Sequence, residues 1–292
     1  MEKVDAHVHV FDRVSDAFPR EVSGLAPAER TATVEDLLHE MDAAGVARAV
    51  LIQMGGVKPE HHRYVAKAVQ RWPDRFVAAG LVDLADTDPA SRLDELVQTT
   101  GIVGIRLMGA LGRADTVRVE DLTGYAVFRC ASQLGLNVNL YCGGDQIANI
   151  GMLAHAFPDV VVSLDHLGIC PLTSFVADEW RRPRFEYEPI PPATYSQVTD
   201  LARYPNVYVK VSGEYAFSRK AYPYGDLRPM VESIYHAYGA GRMMSCSDFP
   251  WIREEPGYQR QLALLDIHLP LLDETEKMLI AGGNANKVWF GR

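Results

Sequence analysis

Eight short apolar segments recur along the chain, and most of them are separated by stretches with helical spacing. The segments are rich in β-branched residues and have the length of buried strands. Helical patterns such as 33–45 and 59–72 lie between them, so successive strands need a crossover connection and must pair in parallel. The predicted strands are 4–11, 47–54, 75–82, 102–108, 136–142, 160–166, 206–213 and 242–248.

This order of elements predicts an α/β fold, a single (β/α)8 TIM-type barrel over residues 1–292. Eight strand-helix units in 292 residues suit the usual size of such a barrel. Neither a GxGxxG segment after a strand nor a GxxxxGK[ST] segment occurs, which disfavours an open, nucleotide-binding sheet. Active sites of these barrels lie at the carboxyl ends of the strands. Polar residues at those ends are therefore the candidate functional residues.

Composition and charge argue against several other classes of protein. With 48% hydrophobic and 23% charged residues the chain can bury a sizeable core. A formal net charge of −9, without a cluster of lysines and arginines, disfavours a nucleic-acid partner. The sequence shows neither a signal peptide nor an 18-residue apolar run, so we expect a cytoplasmic protein without membrane association. The cysteines lack zinc-finger spacing and are interpreted as free thiols: Cys130, Cys142, Cys170 and Cys246.

The first predicted strand carries the strongest chemical signal. Asp5, His7 and His9 alternate with apolar residues, so a strand period of two predicts that all three point to one face. Two imidazoles at a strand end can bind a divalent metal or donate hydrogen bonds to a substrate carbonyl. We predict that His7 and His9 are metal ligands, with zinc as the first choice, and keep a metal-free site as the alternative.

Two further strand ends supply candidate catalytic residues. Asp248 ends the eighth strand, which barrel closure brings beside the first. We predict that it ligates the metal and also acts as the general base toward water. His166 ends the sixth strand and is predicted to polarise a carbonyl or to protonate a leaving group. Its neighbour Asp165 is then expected to point away from the barrel interior in a structural role.

Other polar residues at strand ends are candidate substrate contacts. Arg106 lies between apolar neighbours at the end of the fourth strand, where it can clamp a substrate carboxylate or form a buried ion pair. Lys210, in the middle of the seventh strand, needs a partner, for which we predict Asp5. Further predicted substrate contacts are Cys142, Glu214 and Tyr215.

The motifs DAHVH, LDHLG, VYVKVSG, CSDFPW and GGNANKVW, in this order, resemble those of the amidohydrolase-2 branch of the amidohydrolase superfamily. The resemblance spans nearly the whole chain and is closest to the lactonase group that includes 2-pyrone-4,6-dicarboxylate lactonase and fuconolactonase. It implies hydrolysis of a lactone of a small organic or sugar acid. Asp248 would then activate water, while His7, His9 and His166 hold the carbonyl.

The same family leaves a second activity open, metal-dependent non-oxidative decarboxylation of an aromatic or unsaturated acid. The related decarboxylases carry a metal-binding histidine after strand five, whereas residues 137–146 of this chain contain none. This departure favours the lactonase interpretation and argues against a tightly held metal. A barrel that binds ligands without catalysis is the third alternative. We expect a small-molecule substrate, and a homodimer stays open.

Overall fold

The computed structural model of the protein describes residues 2–84, 86, 88–142, 144–169, 175–185 and 190–291; Cys170 lies outside these ranges. Eight strands form one parallel sheet whose order follows the chain. The prediction of a (β/α)8 barrel is thereby confirmed. The strands are β1 (Lys3–Val8), β2 (Val46–Ile52), β3 (Phe76–Leu81), β4 (Gly104–Met108), β5 (Asn137–Tyr141), β6 (Val162–Leu164), β7 (Val207–Val211) and β8 (Met243–Ser245).

The eighth strand returns to the first and nearly closes the barrel. The backbone N–H of Asp248 donates to the carbonyl of His7 at 3.0 Å, and that of His9 donates to the carbonyl of Phe249 at 2.7 Å. Val8 and Phe249 form a parallel bridge. These bonds lie just beyond the regular end of β8, so they hold Asp248 beside the two histidines at the carboxyl rim.

Helices follow the strands and cover the outside of the sheet. Thr33 begins the first helix with a reciprocal capping box to Asp36, and Gly45 ends it at a φ of 67°. None of the helices in the described ranges has the length and hydropathy needed to cross a bilayer. The helices are α1 (Val34–Ala44), α2 (Arg63–Arg71), α3 (Pro89–Thr100), α4 (Tyr125–Leu134), α5 (Ile147–Ala156), α6 (Tyr195–Asp200), α7 (Glu214–Phe217), α8 (Arg228–Tyr238), α9 (Tyr258–Leu262), α10 (Leu264–His268) and α11 (Glu274–Met278), followed by π-helical turns at Leu279–Gly283 and Asn286–Phe290.

The orientation predicted for Asp5 on β1 is wrong. A register shift in the pairing of β1 with β2 lies between Asp5 and Val8 and interrupts the strand alternation. Asp5 accepts hydrogen bonds from the Tyr258 hydroxyl of α9 at 2.8 Å and from the Ser247 backbone N–H at 3.0 Å. Its carboxylate therefore anchors α9 and the segment after β8 and does not share the site of His7.

The orientation predicted for Asp165 is also wrong. Regular pairing of β6 ends at Leu164, whose side chain packs in the hydrophobic layer that also contains helix residues such as Leu153. Because strand side chains alternate between faces, the next residue, Asp165, points into the barrel. His166 still reaches the rim, because its backbone turns into the left-handed region at a φ of 50°.

Two segments lie over the mouth of the barrel and are held by arginines. Within residues 12–32, Arg20 donates hydrogen bonds to several backbone carbonyls, at 2.7 Å in two cases. Arg30 links this segment to a hairpin by donating to the carbonyls of Arg181 at 3.1 Å and Trp180 at 3.3 Å. The hairpin pairs Val176–Ala177 with Pro183–Arg184, and its two-residue strands are too short to leave a sequence signal.

His62 is a buried base whose protonation should destabilise the fold. Its Nδ1 donates to the carbonyl of Lys58 at 2.9 Å, and its Nε2 accepts from the backbone N–H of Leu81 at 2.9 Å. Burial lowers the pKa of His62 from 6.5 to about 4. The unfolded chain binds this proton more readily, so the stabilising contribution is complete above the unfolded pKa and is lost as the pH falls toward the folded pKa.

We therefore expect the free energy of unfolding to fall less steeply with acid in His62→Gln than in the wild type. The loss of unfolding free energy between pH 7 and pH 4.5 should be about 2 kcal/mol smaller in His62→Gln than in the wild type. Urea unfolding at both pH values measures it. His155→Gln, at an exposed position of α5, is the matched control and should follow the wild type. An equal loss of unfolding free energy in all three proteins would contradict the lowered pKa of His62.

Candidate active site

Three ligand-type atoms from neighbouring strand ends meet at the carboxyl rim. The Nε2 atoms of His7 and His9 lie 3.2 Å apart. Oδ1 of Asp248 lies 3.7 Å from the first and 3.5 Å from the second. Nε2 of His166 is 4.0 Å from the other oxygen of Asp248. All four side chains are buried, so the barrel gathers three imidazoles around one carboxylate.

A hydrogen bond fixes the tautomer of His9, and His7 lies between two charged groups. Nδ1 of His9 lies 2.8 Å from the carbonyl oxygen of Ile52, which can only accept, so Nδ1 carries the proton. Nδ1 of His7 lies 3.1 Å from Oδ1 of Asp165 and 3.3 Å from Nζ of Lys210. Burial lowers the pKa of His9 to about 3 and that of His7 well below its usual range. Both rings are therefore neutral, and their Nε2 atoms face each other and Asp248.

These three residues fit a divalent cation. Oδ1 of Asp248 is buried and has no hydrogen-bond partner among the described residues. A tetrahedral zinc with ligands at about 2.1 Å separates its ligand atoms by about 3.4 Å. The three distances observed here, 3.2, 3.5 and 3.7 Å, bracket that value. The second ring nitrogen of His9 is held by a carbonyl oxygen, and that of His7 lies beside a carboxylate oxygen, as is usual for metal-binding histidines.

A second cluster of His7, Asp165 and His166 also has its ligand atoms within 4.8 Å of one another but is less open to a cation. Both oxygens of Asp165 already accept hydrogen bonds, from Asn139 at 2.7 Å and from Arg106 at 2.9 Å. The cluster with Asp248, which has the unpartnered oxygen, is thus the candidate metal site.

Asp165 is the centre of a buried polar network that sequence reasoning missed. Besides accepting from Asn139 and Arg106, Asp165 lies 3.1 Å from Nδ1 of His7, and Nζ of Lys210 lies 3.6 Å from its Oδ1. Burial alone would raise the pKa of Asp165, but His7, Arg106 and Lys210 hold it well below its usual range. Asp165 is therefore an anion that pairs with two buried cations.

The partner predicted for Lys210 was also wrong. Its ammonium group is fully buried and contacts Asp165 and, at 3.3 Å, Nδ1 of His7, whereas Asp5 is bound elsewhere. A signal was present in the sequence, since two cations on different strands, Arg106 and Lys210, require an interior anion. Asp165 was not recognised as this anion, because the side chains at the end of β6 were predicted to point to the opposite faces.

Asp248 and His166 are held in place by one hydrogen bond each. The hydroxyl of Tyr215 donates to Oδ2 of Asp248 at 2.6 Å, and Nδ1 of His166 lies 2.9 Å from Oγ of Ser212. Burial raises the pKa of Asp248 to about 8 and lowers that of His166 to about 4. Both residues have positive φ values, 62° and 50°, which cost about 1 kcal/mol each outside glycine. A Cβ on Gly213 would lie 3.0 Å from the ring of His166, so a glycine is needed there.

A cavity of about 400 Å³ opens beside this cluster. Its polar lining includes His9, Arg106, His166, Tyr215 and Asp248. Arg106 combines both interpretations made from the sequence, because it forms the ion pair with Asp165 and also lines the cavity. The remaining described lining consists of Tyr141 and of apolar or glycine residues.

The structure corrects the positions expected for Cys142 and Glu214, which are absent from the described lining. In β5 Tyr141 faces the cavity, so the next residue, Cys142, faces away, and burial raises its pKa to about 12. The carboxylate of Glu214 is buried at the start of α7 and accepts from the side chain of Gln261 at 2.7 Å. Neither side chain is placed to contact a ligand in this cavity.

The fold and the rim residues define a parallel-barrel enzyme of the hydrolase type. The family model described as amidohydrolase matches residues 4–291, and the chain belongs to that family. The resemblance predicted from the five motifs is thus confirmed. Among curated proteins, the L-fucono-1,5-lactonase of Burkholderia ambifaria is 25% identical over 253 residues, which cover 85% of this chain and 80% of that enzyme.

Solved structures show the same fold. A probable 2-pyrone-4,6-dicarboxylic acid hydrolase from Acinetobacter baumannii, with citric acid bound, has a TM-score of 0.74 at 20% identity and covers 99% of this chain and 100% of its own. An amidohydrolase from Burkholderia multivorans with bound zinc has a TM-score of 0.71 at 18% identity and covers 99% of both chains.

Zinc binding tests the candidate metal site directly. We expect chelator-treated protein to bind one Zn²⁺ per chain, and His9→Gln to bind it at least tenfold more weakly because one of three ligands is lost. Isothermal titration calorimetry measures both quantities. The exposed His155→Gln variant should bind zinc as the wild type does. Unchanged stoichiometry and affinity in His9→Gln would exclude this site.

Removal of the charge on Asp165 should weaken the whole barrel. In Asp165→Asn the cations of Arg106 and Lys210 lose their buried counter-ion, so we expect the free energy of unfolding to fall by about 3 to 5 kcal/mol. Chemical denaturation measures the change. Asp159→Asn, at an exposed position, should differ from the wild type by less than about 0.5 kcal/mol. A loss below about 1 kcal/mol in Asp165→Asn would contradict the central role of this carboxylate.

Proposed function

We propose that the protein hydrolyses a lactone by attack of water on the ring carbonyl, with Asp248 as the general base. One observation carries the proposal: a buried carboxylate, one of whose oxygens is unpartnered, faces two neutral imidazoles at the edge of a cavity. The similarity to a named lactonase and to a named pyrone dicarboxylic acid hydrolase supports a cyclic ester as the substrate.

In the proposed reaction, Asp248 moves the proton and the neighbouring groups stabilise the carbonyl. A divalent cation held by His7, His9 and Asp248 would supply Lewis acidity to the carbonyl. Asp248 takes a proton from water as the water oxygen bonds to the carbonyl carbon. The ring C–O bond then breaks, and the leaving oxygen receives the proton from Asp248. One lactone and one water thus yield one hydroxy acid. Without a bound cation, burial raises the pKa of Asp248 to about 8, close to the pH at which a group can both accept and return a proton.

Three neighbouring residues support this chemistry. His166 is neutral, and when Ser212 donates to Nδ1, its Nε2–H is available to the oxygen on which negative charge develops. Tyr215 orients the carboxylate of Asp248 through its 2.6 Å hydrogen bond. Arg106 provides a positive charge in the cavity wall for a carboxylate of the substrate.

Decarboxylation stays the second candidate from the family resemblance. In β5 the cavity-lining residue is Tyr141, and the described residues 137–142 and 144–146 contain no histidine to complete a larger ligand set. CO₂ release from an aromatic acid, without hydrolysis of any lactone, would favour it.

A small-molecule substrate, a cytoplasmic location and a homodimer are further proposals that rest on the sequence.

Asp248→Asn tests the general base. The amide has nearly the same shape but cannot take a proton, so we expect kcat/KM for lactone hydrolysis to fall by 10²–10⁴. A pH-indicator assay across a lactone panel measures the rate, and thermal unfolding confirms that the fold is retained. Asp159→Asn should keep the wild-type rate. More than about a tenth of wild-type activity in Asp248→Asn would rule out this role.

A further inference from the structure

We infer that the lactone taken by this cavity has a flat apolar body and at most one carboxylate, in contrast to a sugar lactone or a dicarboxylate. This inference rests on the proposed function. It comes from the charge and polarity of the cavity wall, which differ sharply between the catalytic rim and the remaining surface.

The cavity offers one permanent positive charge. Among the described lining residues Arg106 is the only arginine or lysine. Two other arginines of the nearby hairpin are engaged away from the cavity: Arg182 donates to Asp178 and Glu255, at 2.7 and 2.8 Å, and Arg184 donates to the carbonyl of Tyr215. The residues outside the described ranges between 143 and 189 include no lysine or arginine. This guanidinium also pairs with Asp165, so it can match at most one carboxylate of a substrate. A second carboxylate would find no other cationic side chain in the described lining.

The rest of the wall is suited to an aromatic or similarly flat apolar group. Phe185 and Phe217 lie in the lining and stack on each other, with centroids 5.1 Å apart and an interplanar angle of 11°. Leu25, Leu81 and Trp251 extend the apolar surface. The described lining contains no serine, threonine, asparagine or glutamine, so beyond the catalytic rim and Tyr141 these residues offer no side-chain hydrogen-bond partner to the several hydroxyls of a sugar. An apolar ring instead gains from removal of its surface from water.

The apolar surface continues out of the cavity. Met108 and Phe175 line the cavity and are 51% and 45% exposed. Val176, next to Phe175 on the hairpin, is exposed as well. A substituent that projects through the mouth therefore also meets apolar side chains, which favours a hydrophobic extension over a charged one.

Three lactones distinguish the possibilities: dihydrocoumarin as the aryl lactone, L-fucono-1,5-lactone as the polyhydroxylated one, and 2-pyrone-4,6-dicarboxylate as the dianion. We expect kcat/KM for dihydrocoumarin to exceed the other two values at least tenfold. A higher value for either of the others would overturn the inference and leave the lactonase proposal standing.

If none of the three is hydrolysed, the proposed function fails, and binding still decides the inference. Calorimetry then compares the open acids 3-(2-hydroxyphenyl)propanoate and L-fuconate. The aryl acid should bind at least tenfold more tightly, and equal or weaker binding would refute the preference for an apolar ligand.

A variant tests the charge argument separately. Met108→Arg adds a second cation at the mouth, where the exposed side chain can be replaced without loss of core packing. We expect kcat/KM for the dicarboxylate, divided by kcat/KM for dihydrocoumarin, to rise at least tenfold. If there is no turnover, the affinity for 2-pyrone-4,6-dicarboxylate should rise relative to the affinity for the aryl acid. Leu271→Arg, at a 95% exposed position outside the described lining, should leave both ratios unchanged. An unchanged ratio in Met108→Arg would count against the inference.

Discussion

The ionised carboxylate of Asp165 is the interaction on which the interior of this barrel depends. From the end of β6 it reaches side chains of β1, β4, β5 and β7, and it pairs with the buried cations of Arg106 and Lys210. Burial of ionised groups is tolerated only when they are paired and hydrogen-bonded in this way. The same carboxylate contacts Nδ1 of His7, so the stability of the barrel and the chemistry of its rim share one group.

The rim brings three ligand-type atoms close together. Two imidazole nitrogens and one carboxylate oxygen face one another, and the described side chains around that oxygen give it no hydrogen bond. Such a cluster favours whatever cation enters it, a proton on Asp248 or a metal ion between the three atoms. Backbone strain at His166 and Asp248 shows that the fold sustains this arrangement at a cost, as is common for functional sites.

Much of the architecture and part of the site could be predicted from the sequence. Strand-helix alternation predicted all eight strands, and position at strand ends selected His7, His9, Asp248 and His166, which the structure brings together at the rim. The orientations of Asp5 and Asp165 could not be obtained, because a register shift in β1 and an early end of β6 each move side chains by one residue, which exchanges the two faces of a strand. The hairpin and the apolar character of the cavity wall depend on contacts between distant segments, which periodicity does not report.

The arginine contacts over the barrel mouth have a consequence for how this protein can change. Arg20 and Arg30 bind backbone carbonyl groups, and every residue type offers the same carbonyl. Side chains of the cover, such as Leu25, can therefore be exchanged during evolution while the cover keeps its shape. New ligand preferences can arise in this layer without any alteration of the strands that hold the reactive groups.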